Sequence, residues 1–186
     1  MAVKTMAKNT GTGQYNAGWH ELTVSKAVDG KWGDKRTIDL NFEGYPDNMR
    51  HRVFEASNKT TGEEFKIANL FRFACAGIIS VLQDPTGKNP VIQYDDEVTN
   101  LVGTRVNVLF VKEASTTDGK EYSRTFDLVP VAQETEHITW TDDDVTRLKK
   151  GVEKQYTKKT ATTTNGVGTV NLDTTTTVTG DAEVPF

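Results

Sequence analysis

Three histidines, one cysteine and a run of three aspartates are the residues of this chain whose types most often do covalent or acid–base chemistry. His20 and His51 fall on the inward side of strand-like alternations, where a neutral core histidine is the expected reading; His137 stands apart from both. Asp142, Asp143 and Asp144 could gather a metal. Adjacent carboxylates at a helix start also complement the positive end of the helix and cap it, and that is the reading taken here. Cys75 lies among Phe73, Ala74 and Ala76 and reads as a small buried hydrophobe. The sequence contains no HExxH, GxSxG, Walker loop or Cys–His pair. A non-catalytic protein without metal or cofactor is therefore expected.

A different chemistry fits better. Binding of a single nucleic-acid strand needs cations for phosphates and exposed rings for bases. Trp32 falls in what reads as a loop between the first two strands, flanked by Lys31, Lys35 and Arg36. It would either stack on a base or cap the end of the fold. Arg50, Arg52 and Phe54 alternate along one face of a third strand, which is either a binding face or a solvated one with a stray ring. Lys112, Lys120, Tyr122 and Arg124 surround a second hairpin, where charges are also common without function. Trp19 and Tyr45 are additional candidate stackers.

The elements that must carry these residues follow from periodicity. Residues 1–16 read as a flexible arm. Residues 17–28 alternate His20, Leu22, Val24 and Val28 against Trp19, Glu21, Thr23 and Ser25, giving a strand. Residues 29–34 (DGKWGD) read as a loop. Ile38, Leu40 and Phe42 mark a second strand, residues 44–48 a turn, and Met49, His51 and Val53 the inner face of a third. The period then changes. Ile67, Leu70, Phe71, Ala74, Ile78 and Val81 predict a helix over 63–82, started by Thr60 or Thr61 and stopped at Asp84-Pro85. After a polar connector, strands are expected at 103–114 and 120–132, joined by a turn containing Asp118-Gly119. Thr141 caps a short amphipathic helix over 141–159 whose lysines gather toward its end.

Hydrophobic residues make up 35% and charged residues 26% of 186, and mean hydropathy is -0.54. This suits one domain plus unfolded lengths. The expected division is an arm at 1–16, a binding domain at 17–135, a linker and short helix at 136–159, and a disordered Thr-rich tail at 160–186. No apolar run reaches bilayer length and the first residues lack a signal-peptide core, so a cytoplasmic protein without membrane contact is expected. One cysteine excludes an intrachain disulfide. A net charge of -4 argues against a nucleic-acid partner only if the cations are evenly spread.

Strand, strand, strand, helix, strand, strand is the order of an OB-fold, a five-stranded, partly open barrel; an antiparallel sheet with one packed helix would share it. The residues GDAEVPF, 180–186, resemble the C-terminal tip of bacterial single-stranded DNA-binding proteins, with Asp181, Glu183, Val184, Pro185 and Phe186 at the matching positions. The body, roughly residues 17–131, resembles the OB-fold single-stranded DNA-binding proteins of tailed phages. That resemblance implies coating of exposed strands in replication, recombination and repair inside an infected bacterial cell. It also implies recruitment of replication and recombination proteins through the tip. Ala182 interrupts the acids, and the tail is Thr-rich rather than Gly/Gln/Pro-rich. A homo-oligomer and an RNA ligand are compatible with this reading. The rivals are a structural protein of a phage particle and, further off, a metal-dependent nuclease using Asp142–Asp144.

Overall fold

In a computed structural model, residues 15–82, 90–115, 117 and 119–164 are described, the last four by their backbone alone. The arm up to residue 14, Asp84-Pro85, Asp118 and the tip residues Asp181, Glu183, Val184, Pro185 and Phe186 lie outside them. Five strands form one antiparallel sheet: β1 (Gly18–Trp32), β2 (Lys35–Phe42), β3 (His51–Phe54), β6 (Arg105–Ala114) and β7 (Glu121–Pro130), in the order β3-β2-β1-β6-β7.

β1 serves both halves of the sheet. Gly18–Thr23 pair with β6, and Val24–Trp32 pair with β2. The change of partner occurs at a bulge between Val24 and Lys26, where one extra residue bends the strand and reverses which side chains face inward. Beyond it Ala27 packs on the core and Val28 is 41% exposed, so Val28 does not share the inner face of Leu22 and Val24. The strand also runs on to Trp32. Asp29-Gly30 is extended backbone, and the turn is the two-residue Gly33-Asp34, with Gly33 supplying φ +59°. The loop expected at 29–34 is thus mostly strand.

The first core lies between one face of the sheet and a helix, α1 (Lys66–Ala74). Leu70 and Phe71 pack with Val24, Ile38, Leu40, Phe42, Val106, Val108 and Leu128. No threonine caps α1; the Glu64 carboxylate accepts the N–H groups of Ile67 (2.7 Å) and Ala68 (3.0 Å) instead. The helix is half the expected length. Cys75 takes a left-handed conformation (φ 51°), and the Ala76 N–H closes the end on the Phe71 carbonyl at 2.9 Å. Gly77, at φ +61°, sends the chain into β4 (Ile78–Leu82), which pairs with β5 (Val91–Tyr94). The β-branched Ile78, Ile79 and Val81 favour this strand. Ile78 and Val81 are half-buried, packed against Ile138, Trp140 and Val145. The polar connector accordingly contains a strand, and a 3-10 turn at Val98–Leu101.

Over β6, β7 and the start of β1, the opposite face of the sheet is covered by α2 (Asp142–Thr164). Val152, Leu148 and Tyr156 pack on Leu109, Val111, Val129, Phe126 and Trp19. Residues 142–159 are part of the folded body rather than a linker, and the helix passes the expected tail boundary at 160. The Thr141 cap is present: its hydroxyl accepts the Asp144 N–H at 3.2 Å and donates to the Asp144 carboxylate at 2.7 Å. A small pair, β8 (Gln133–Glu134) and β9 (Thr139–Trp140), leads into α2 and sets Trp140 against the end of α1, its indole N–H on the Arg72 carbonyl at 3.2 Å.

The edges β3 and β7 approach each other, and the Thr125 hydroxyl donates to the Arg50 carbonyl at 3.1 Å. Among the described residues no backbone ladder joins them. The chain is thus mainly β, with one antiparallel sheet between two helices; the closed barrel is not formed by strand pairing.

Candidate nucleic-acid interface

Strand register decides which of the candidate residues meet. Trp32 pairs with Lys35, Gly30 with Thr37, and Val28 with Asp39. On the other side Thr37 pairs with Phe54 and Asp39 with Arg52. Side chains alternate along strands, so Lys26, Val28, Trp32, Lys35, Asp39, Arg52 and Phe54 share one face of the β1–β2–β3 ladder. This face points away from the α1 core. Arg50 joins it, its Nε 3.3 Å from the Asp39 carboxylate.

Large apolar groups on this face are open to solvent: Trp32 is 65% and Phe54 42% exposed. Between them, Thr37 is only 4% exposed. Gly30 has no side chain to separate them, and a Cβ there would come within 3.2 Å of the Thr37 hydroxyl. The Arg52 guanidinium lies 5.8 Å from the Trp32 ring centre. It is held by Asp39 in a two-point grip, Nε at 2.6 Å and Nη2 at 2.7 Å. That grip lowers the Asp39 carboxyl below its ordinary pKa; desolvation opposes the shift, and the nearby charges of Arg52 and Arg50 add to it. Four cations (Lys26, Lys35, Arg50, Arg52) therefore share a surface with two exposed rings, and two of them, Arg50 and Arg52, hold the Asp39 carboxylate. No protein-family model matches this chain, and neither does any curated protein.

Other expected residues are placed elsewhere. Lys31 and Arg36 pair with each other across the hairpin and so point to its opposite face. Arg36 is fixed between Asp29 and Asp96; the Asp29 hydrogen bond is the main reason its pKa is raised, partly offset by desolvation. The second hairpin is divided. Lys112 stands opposite Ser123, whose hydroxyl accepts the Tyr15 N–H at 2.8 Å. Arg124 and Tyr122 lie on the other face, with Arg124 paired to Glu113. Trp19 is committed to packing: its indole N–H meets Glu153 at 2.7 Å beneath α2. Tyr45 stacks with Tyr15 (4.9 Å between centroids) and edges onto Phe110.

The histidine readings divide. His51 is buried, and desolvation is the main cause that pushes its pKa down to about 4, so it is a neutral core residue at pH 7. His20 is only half-buried; its ring lies 4.6 Å from that of Phe110 and bonds the Asn16 carbonyl. Lys26, Val28 and Asp39 are face residues that the sequence reading missed. For Lys26 and Val28 the alternation was hidden by the bulge that shifts its phase, whereas Asp39 stood openly on the polar side of the β2 alternation.

Proposed function

We propose that this protein is a non-catalytic, sequence-independent single-stranded DNA-binding protein with an OB-type binding face. The observation that carries the reading is the β1–β2–β3 outer face, where exposed Trp32 and Phe54 stand among Lys26, Lys35, Arg50 and Arg52. Every base has a π-face, so stacking on the two rings needs no particular sequence. The cations meet phosphates and release counterions, which makes affinity fall with salt. Asp39 limits the net charge of the face and orients Arg52. The tail carrying Asp181, Glu183, Val184, Pro185 and Phe186 would recruit replication and recombination proteins. In that role Phe186 fills an apolar pocket, Pro185 reduces the ordering cost, and the acids meet a basic rim.

The test is a titration of intrinsic tryptophan fluorescence with unlabelled oligo-dT, at low and high salt and without metal. Trp140 is buried and Trp19 is packed under α2, so Trp32 is the reporter. Saturable quenching that weakens with salt and vanishes in Trp32→Phe is expected. No change at low salt would sink the proposal. The second reading is a phage interaction protein with no DNA affinity. The exposed Ile79, Leu82 and Val91 of the β4–β5 hairpin favour it.

A further inference from the structure

α2 gathers positive charge along its length: Arg147 pairs with Asp144, and Lys149 and Lys159 lie over the Trp19 and Phe126 rings. From Arg147 to Lys159 six cations stand against the single carboxylate of Glu153. Lysines in a last turn would complement the helix dipole, yet α2 continues to Thr164 and its last turn holds no basic residue. Lys150, Lys154 and Lys158 stand four apart, so like charges adjoin along one face, which disfavours the helix. All three are exposed, on the side opposite Val145, Leu148, Val152 and Tyr156, which face the body.

The position of this basic end is a second, independent observation. Lys159 lies 5.6 Å over the Phe126 ring, which packs edge-on against Tyr156 at 5.0 Å. The preceding residue, Thr125, donates to the Arg50 carbonyl, and Arg50 belongs to the Trp32 face through Asp39. The end of α2 therefore stands at the seam where β7 meets β3, and the charge of the face continues onto the helix.

We infer that the C-terminal half of α2 is a second phosphate-binding surface for the same strand. This rests on the reading proposed above. DNA seated on the β1–β2–β3 face crosses the seam beside Arg50 and lays its backbone along Lys159, Lys158 and Lys154. Lysine is a flexible point charge that meets phosphate without reading bases. The exposed stripe of Lys150, Lys154 and Lys158 carries no ring, so the helix supplies salt-sensitive affinity rather than stacking.

The test compares the full chain with a Lys154→Gln/Lys158→Gln/Lys159→Gln variant and with Trp32→Ala. The probes are oligo-dT of about 5 nucleotides, enough for the sheet alone, and of about 20. The lysine variant should bind the short probe like the parent. It should bind the long one about tenfold more weakly, with the slope of log K against log salt smaller by about 2. A Lys154→Gln/Lys158→Gln variant, which leaves the Lys159–Phe126 contact in place, should show the same trend with an unchanged melting curve. Long-probe affinity and slope equal to the parent's, while Trp32→Ala still loses binding, would overturn the inference and leave the proposed function standing. A parent chain that binds neither probe would remove both.

Discussion

Arg52 reaches across the sheet to lie 5.8 Å from the Trp32 ring while both of its bonding nitrogens stay on Asp39. The aromatic ring, the cation and the carboxylate come from three different strands: Arg52 stands opposite Asp39, and Trp32 lies farther along β1 from Val28, the residue opposite Asp39. One carboxylate thus holds a cation beside the most exposed ring among the described residues. Replacing Asp39 with Asn keeps the shape and removes the charge. Oligonucleotide affinity should rise severalfold at low salt, and the gain should disappear at high salt. Weaker binding at every salt concentration would show that orienting Arg52 outweighs the repulsion of phosphate.

Trp32→Ala should cost about 1–3 kcal/mol of DNA affinity and leave the melting temperature unchanged, because the side chain is largely in water. A large drop in melting temperature would instead assign Trp32 the role of capping the end of the sheet.

His51 makes stability pH-dependent. Its folded pKa lies near 4; burial is the main cause, Lys66 adds to it, and Asp127 and Asp39 oppose it. The unfolded chain takes up a proton near pH 6.5 that the folded chain refuses. The stabilisation is therefore complete above pH 6.5 and is lost as pH falls toward 4, by about 3 kcal/mol in full. Urea midpoints at pH 7 and pH 5 should differ, and His51→Gln should flatten the difference. An equally steep slope in the variant would place the titration elsewhere.

Gly77→Ala should be severe. A Cβ there would collide with the Asp95 carbonyl oxygen, on backbone at φ +61°. A loss of roughly 2–4 kcal/mol is expected by chemical denaturation. A loss below about 1 kcal/mol would mean that the start of β4 relaxes freely.

Val152→Ala removes packing between α2 and the sheet and should cost about 1–3 kcal/mol. Unfolding followed by Trp19 fluorescence and by helix ellipticity should remain one coincident transition. Two separate transitions would make α2 an independent unit, contrary to its shared core with Leu109, Val111 and Val129.

The sequence by itself determined much of the local order. Period-two runs placed the central strands, and the inner side of β3 (Met49, His51, Val53) and its outer side (Arg50, Arg52, Phe54) came out as read. Thr141 followed by acids marked the start of α2 because a cap is a short-range hydrogen bond. Tertiary structure decided the rest. The bulge at Val24/Lys26 exists because β1 must serve two partner strands, and no local pattern records a second partner. The expected helix ends at Cys75, and the residues beyond it are drawn into a strand that pairs with β5, where the Asp95 N–H meets the Gly77 carbonyl. α2 reads as a linker helix until its apolar stripe finds the sheet's far face. The candidate site divides in the same way. Residue types announced cations and rings, but strand register placed Trp32, Arg52 and Phe54 together and sent Lys31 and Arg36 to the other side. Alternation is a property of one strand; which side chains become neighbours is set by pairing between strands far apart in sequence.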